Sequence, residues 1–383
     1  MANYRYLLAD LLTNQINAEL PLTGVTFQQA LNQAGGFSAS LLMSDYRLTQ
    51  NNYTSTSIYN LDYVTTPGRS VIYIERDGII VYGGIIWSRT YDSSHQTMSL
   101  SGREFESYFE RRRISYTTAF ATGTDQFALV KTLIDNAQSQ PYGNIGVVTS
   151  GIGLCGQGIS SPYVVYDYEK RVVFDTVLDL SRQDTPYGFD FSIDAAYDSN
   201  KNIVKTMSLS YPRQGRSYTA NAFAPMLEFP GSMLYYTYPE DGGSMANRVY
   251  GTGPGSNEGQ YISTANNTVS LTAGYPLLEE VVSFTQIPSP LVVDSLTSAE
   301  VLARAKPVTV MTATWSPTVD GLSGLSVGPV FGEFQHGDIF RIRVTDDRFF
   351  NTFETALRLS KYDVRVGDSG AELITGQFVV PTY

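Results

Sequence analysis

The sequence predicts a mainly β protein with smaller α+β parts, and three observations carry that prediction. Alternating β-branched and aromatic residues recur towards both ends of the chain, as in "SVIYIERDGIIVYGG" and "HGDIFRIRV". Two segments between them instead space their apolar residues at helical intervals. A run near residues 68 to 92 is echoed near residues 337 to 363, which points to two related β units in one chain.

Taken in order, "YRYLLADLL" and "SASLLM" are predicted strands, with "TFQQALNQAG" a short turn or helical piece between them. "SVIYIERDGIIVYGGIIWSRTYD" joins two strands through Asp77-Gly78, a dipeptide that supplies the positive φ angles of a tight hairpin turn. "SLSGREFESYFERRRI" follows. Ser101 and Glu104 have the S-x-x-E spacing of a capping box, and Leu100 with Phe105 fit a hydrophobic staple, so a helix is expected from about Gly102 to Arg113. Phe105, Tyr108 and Phe109 would form its apolar stripe. Arg111, Arg112 and Arg113 would fall in the last turn, where cations complement the helix dipole; the competing reading is a grip on nucleic acid.

"TDQFALVKTLIDNAQ" places Phe127, Val130, Ile134 and Ala137 on one helical face, and "KRVVFDTVLDLSRQ" does so with Val173, Val177 and Leu180. The Gly/Ser-rich loop "SGIGLCGQGISSP" separates them. "TPYGFDFSID" then leads into strands such as "IVKTMSLSYP", and a β pattern resumes from residue 206, broken by "PEDGGSMANRVYGTGPGSNEG". A third helix is expected at Thr297 to Lys306, with Thr297 and Glu300 as capping box, Leu296 and Val301 as staple, and Pro307 as its stop. Strands run from "VTVMTATW" to the end. The expected domains are 1–115, a β unit; 116–205, α+β; 206–308, a connecting part that contributes to the second β unit; and 309–383, the second β unit. In the echo, Ser88 matches Ser360, Arg89 matches Lys361 and Asp92 matches Asp363.

Lys plus Arg number 26 against 37 Asp plus Glu, a formal charge of −11, which argues against a protein that holds a phosphate backbone. The 42% hydrophobic and 16% charged residues of the 383 give enough apolar matter for a sizeable core and suggest two to four domains. Cys155 is the single cysteine, so neither an intrachain disulfide nor a thiolate metal cluster is expected. The N-terminal stretch reads neither as a secretory leader nor as a span, and no later run reaches the apolar length of one.

"GDSG" at Gly367 to Gly370 is the segment that carries the nucleophile of trypsin-like proteases, but the base for Ser369 would have to be His95 or His336, and neither has that family's surroundings. Ordinary turn chemistry is the expectation there. "GTGPGSNEG" from Gly251 has spaced glycines without the strand-to-helix context of a phosphate loop. Asp198, Asn200 and Asn202 begin like a calcium loop, yet Ile203 and Leu209 stand where Gly and Glu are needed. The acid pairs Glu279-Glu280 and Asp346-Asp347 could serve a glycosidase only if a cleft assembled them. No catalytic, cofactor-binding or metal-binding residue is assigned.

The ordered series "SLSGREFESYFERRRI", "DQFALVKTLIDNAQSQPYGNIG", "VFDTVLDLSRQDTPYGFDFSI", "ANRVYGTG" and "HGDIFRIRV" resembles the tail-hub, or minor tail, proteins of long-tailed phages, especially those infecting actinobacteria. The resemblance implies two related β-barrel hub domains with smaller α+β domains attached. It implies a homotrimeric ring at the tail tip of the virion, made in the host bacterial cytoplasm. The partners it implies are the distal tail ring protein, the tape measure protein and a central fibre, spike or other minor tail proteins, with genomic DNA only in transit. A carbohydrate-binding tail-tip module and a tail-associated wall hydrolase are the alternatives.

Overall fold

The computed structural model describes residues 2–51, 53, 60–159, 162–182, 188–216, 225–285, 290–317, 328–345, 348–349 and 352–381. Seven strands come first: β1 (Tyr4–Asp10), β2 (Ile16–Glu19), β3 (Thr23–Ala30), β4 (Gly36–Leu42), β5 (Ser70–Arg76), β6 (Ile79–Asp92) and β7 (Thr97–Glu104). Short helices α1 (Tyr46–Gln50) and α2 (Leu61–Val64) lie between β4 and β5, and α3 (Glu106–Phe109) follows β7. The strands pair antiparallel in the order β3-β4-β7-β6-β5-β1-β2. Asp77 at φ 50° and Gly78 at φ 85° close the β5–β6 hairpin as expected. Gly78→Ala should therefore cost about 1 kcal/mol, seen as a lower urea midpoint, and an unchanged midpoint would show that the turn does not need glycine.

Two expectations are corrected here. The first half of "TFQQALNQAG" is the end of strand β3 and only its second half turns: Phe27 is buried, while Gln28 donates to Asp363 at 2.8 Å and Gln29 accepts from the Tyr362 hydroxyl. Those polar partners come from the far end of the chain, so no local pattern announced them. The helix expected from Gly102 to Arg113 shrinks to four residues. Ser101 and Glu104 belong to β7, and Glu104 is buried and accepts from the Gly35 amide at 2.6 Å rather than closing a capping box.

The next stretch is α+β: β8 (Thr118–Phe120), α4 (Gln126–Ser139), β9 (Val147–Val148), β10 (Tyr163–Val165), α5 (Val173–Arg182), β11 (Asp190–Tyr197) and β12 (Ile203–Ser210). Both predicted helices form. Asp125 caps α4, accepting from Phe127 at 2.9 Å and Ala128 at 3.4 Å. β11 pairs antiparallel and β9 parallel with β12. The helices bury Phe127, Val130, Val173 and Val177 in one cluster with Tyr73 of β5, Phe105 just after β7 and Phe109 of α3. Strands β13 (Met226–Phe229) and β14 (Met233–Thr237) follow.

One compact unit comprises Met1–Tyr236 and Ala313–Tyr383; a second comprises Thr237–Thr312. The second holds β15 (Glu240–Asp241), β16 (Arg248–Thr252), β17 (Ile262–Asn266), α6 (Thr268–Thr272), β18 (Glu279–Ser283) and α7 (Pro290–Arg304), with β16 central, antiparallel to β17 and parallel to β18. Helix α7 starts at Pro290, seven residues before the expected capping box. Thr297 is buried in mid-helix and donates to Val293 O at 2.7 Å, while Glu300 pairs with Arg304 at 2.9 Å. Proline suits the first helical turn, and that was the better start signal. The helix lies so close to the sheet that a Cβ on Gly251 would stand 1.9 Å from Thr297 Oγ1.

The remaining strands are β19 (Val308–Trp315), β20 (Ile339–Thr345), β21 (Thr352–Val366) and β22 (Glu372–Val379). β20 pairs with β13 and β21, β21 with β22, and β22 with β19. β21 also pairs with β3, Lys361 opposite Ala30 through Arg365 opposite Thr26, so both ends of the chain share one 14-stranded sheet. Trp315 is fully buried there, its ring centroid 5.6 Å from Phe334, 6.1 Å from Phe340 and 6.5 Å from Phe378.

Candidate functional site

The motifs with catalytic overtones resolve into turns and surface pairs. At the tip of the β6–β7 hairpin, Asp92, Ser94 and His95 do meet. Ser94 Oγ at 3.0 Å and Asp92 Oδ2 at 2.6 Å approach the same ring nitrogen of His95, Nδ1, and Ser94 also donates to Asp92 at 2.6 Å. A serine–histidine–aspartate relay needs its two partners on opposite ring nitrogens, so this is a capped turn. The Ser94 and His95 hydrogen bonds hold the Asp92 carboxyl down at about 2. Ser369 lies in the β21–β22 turn, where Gly370 N donates to Gly367 O at 2.8 Å; no histidine is among the residues lining the cleft beside it, which include Tyr4, Tyr6 and Arg47. His336 is buried, its Nε2 at 2.9 Å from the Gln214 side chain.

Asp198 accepts from the amides of Asn200 and Asn202, each at 2.8 Å, and Lys201 takes φ 65°: a hairpin turn, as expected. The glycines from Gly251 lead from β16 into antiparallel β17, with no α-helix after them. Glu279 is bound by Tyr250 at 2.7 Å and Arg248 at 3.2 Å, and Glu280, next to it on the strand, faces the other way. Asp346-Asp347 lies outside the described residues.

The arginine run fastens elements together. Arg111 lies over the Trp87 ring at 4.3 Å, and Arg112 donates to the Tyr108 hydroxyl at 2.5 Å and to Ala137 O, at the end of α4, at 2.7 Å. Arg113 bridges Val172, just before α5. With the helix ending at Phe109, these residues work as stitches between the first sheet and α4 and α5 rather than as a dipole cap.

The arrangement that a sequence echo anticipated is larger. β5-β6-β7 and β20-β21-β22 are two meanders with the same plan. In the first, β6 pairs with β5 along its first half and with β7 along its second; its register slips between Ile86 and Ser88. In the second, β21 pairs with β20 through Arg358 and with β22 from Arg358 onward, slipping between Leu359 and Lys361. The bulges thus fall within one residue of the matched pair Ser88 and Ser360. Beyond that point the environments diverge: Asp92 caps the exposed hairpin tip, whereas Asp363 binds Gln28 of β3.

Three buried acids tie the parts of this unit together, and sequence reasoning missed all three. Asp190 accepts from Asn32 Nδ2 at 2.8 Å and Gln214 N at 2.8 Å, and pairs with Arg358. Glu372 accepts from the Tyr4 hydroxyl at 2.6 Å and Arg76 Nε at 2.5 Å, joining β22 to β1 and β5; burial and the bond to Glu372 push the Tyr4 hydroxyl well above its usual range. Asp338 accepts from the Arg216 amide at 2.7 Å and its guanidinium at 2.5 Å. Gln214 lies 24 residues from Asp190 and the other partners named lie 122 to 368 residues away, so no spacing rule signals them.

Neither a family model nor a curated relative matches the sequence. Solved structures do match over nearly the whole chain. The prophage MuSo2 43 kDa tail protein from Shewanella oneidensis is 10% identical, with a TM-score of 0.60 over 99% of this chain and 98% of that one. The chain has the fold of phage tail proteins. The tail protein from Neisseria meningitidis MC58 gives 13% identity and a TM-score of 0.55 over 98% and 96% of the two chains. Prophage tail protein gp18 from Listeria monocytogenes EGD-e gives 10% and 0.50 over 97% and 94%. This agrees with the mainly β, tail-hub-like class expected from the sequence. Among the described residues, no helix is long and apolar enough to cross a membrane.

Proposed function

We propose that this chain is a structural protein of a phage tail tip, a homotrimeric hub ring with pseudo-sixfold symmetry that joins the distal tail ring to a central fibre or spike. One observation carries the reading: a single chain presents two meanders of the same plan, joined in one sheet through β4 and β3, which bridge β7 to β21. Three such chains present six similar surfaces to a sixfold tube and three identical ones to a threefold tip. Residues 1–115 and 309–383 are the two hub barrels in this reading. The tape measure protein and other minor tail proteins are its further neighbours. Genomic DNA passes through without specific binding, because a chain with 11 excess negative charges repels phosphate.

The test is a map of the intact virion with this protein labelled at a surface loop. Density on the tail axis, with threefold symmetry and two equivalent lobes per chain, is expected. Label away from the axis overturns the hub reading and favours the carbohydrate-binding module, for which the exposed, stacked pair Tyr166 and Tyr168, 5.3 Å between centroids, is the surface to mutate. Tight duplex binding at physiological salt would count against the channel.

A further inference from the structure

The corner between β7 and α3 holds two carboxylates with no cation. Glu104 and Glu106 are 6% and 2% exposed, and among the described residues neither forms a salt bridge. Glu104 accepts from the Gly35 amide at 2.6 Å; the fit is so close that a Cβ on Gly35 would also stand 2.6 Å from the carboxylate. Glu106 Oε1 accepts from the Ile193 amide of β11 at 2.6 Å, while its Oε2 is buried without a hydrogen-bond partner. Asp194, next on β11, accepts from Ser192 Oγ at 2.7 Å and acts electrostatically on both glutamates.

The other groups facing this corner do not neutralise it. Arg103 of β7 is engaged by Glu110, at 2.5 and 2.8 Å. Tyr82 of β6 donates to Gly35 O at 3.3 Å, and Tyr362 of β21 donates to Gln29. Among the described residues no set of three metal-ligating side chains converges, and a proton is a ligand that would satisfy the orphaned, buried oxygen of Glu106. We propose that Glu106, buried beside Glu104, holds a proton that latches strand β11 onto the β7–α3 corner, and that its loss releases β11.

The direction follows from the environment. Burial first, then neighbouring acids, raise Glu106 to about 8 and Glu104 well above its usual range. An acid raised in the folded state contributes fully at pH below its free value, and that contribution is lost as pH rises through the folded one. Lys205 of β12 acts in the opposite sense and in a different window. It donates to Leu11 O at 3.3 Å, and burial lowers it to about 8, so its burial penalty is relieved only above that pH.

Hydrogen exchange of the full chain, corrected for intrinsic rates, tests the latch. The opening equilibrium of β11, read at Ile193, should rise by up to about tenfold per pH unit between about pH 6 and about pH 8, while β22 stays flat; Glu106→Gln should remove most of that slope. Should the variant fold poorly, infrared spectra of the wild-type chain at neutral pH decide, since a protonated buried carboxyl must be present. A β11 slope no greater than that of β22, or absence of a protonated carboxyl, overturns the proposal.

Discussion

Asp190→Ala is expected to lower the unfolding free energy of the unit that contains it by about 3–5 kcal/mol, the usual consequence of removing one partner from a buried ion pair. The side chain is 1% exposed and Arg358 only 12%, so the guanidinium would lose its charge partner where water cannot replace it. The loss is not confined to one pair. The same carboxylate receives Asn32, Gln214 and, at 3.7 Å, Arg213, which come from the β3–β4 turn and the segment after β12. Urea unfolding measures the change, and Asp190→Asn, which keeps the acceptor and removes the charge, should fall between wild type and alanine. A loss below about 1 kcal/mol would show that Asp190 is not a keystone of the unit.

Trp315→Ala should cost a similar amount, about 3–5 kcal/mol, by a different mechanism. Here the loss is packing: the indole touches Phe334, Phe340 and Phe378, its Nε1 donates to Pro329 O at 3.0 Å, and Gly328 approaches so closely that a Cβ there would stand 2.9 Å from the ring. Such a site cannot collapse around alanine without moving several strands. Hydrogen exchange should show lost protection in β20 to β22 first, with Trp87, the other of the two tryptophans, left as the fluorescence reporter of the first sheet. Uniform loss over both meanders would mean that they unfold as one body.

What the sequence made legible was local. Asp77-Gly78 announces its hairpin, and the apolar spacing of Phe127, Val130 and Ile134 announces α4, because turn geometry and helical periodicity act over a few residues. The meander echo survived because a bulged long strand imposes similar demands wherever it occurs. The failures were non-local. Glu104 reads as a capping residue until Gly35 supplies its hydrogen bond, and Gln28 and Gln29 read as loop until β21 arrives beside them. Thr297 looked like a cap because its hydroxyl also suits mid-helix burial against Gly251. Asp190, Asp338 and Glu372 left no signal, since any chain with 37 acids offers many and only the fold selects which are buried.

The pairing of β3 with β21 sets an order of events during synthesis. Lys361 meets Ala30 across the ladder, so β3 has no neighbour on that side until the ribosome has made more than three hundred further residues. At about 5–20 residues per second that interval is roughly twenty seconds to a minute. Throughout it the nascent chain carries an unpaired strand edge next to the buried surfaces of Val25 and Phe27, the kind of edge that recruits other chains. So non-local a contact also slows folding, because closure entropy must be met before the ladder stabilises anything. The last strands to emerge are therefore the ones that turn an adhesive intermediate into a protected sheet.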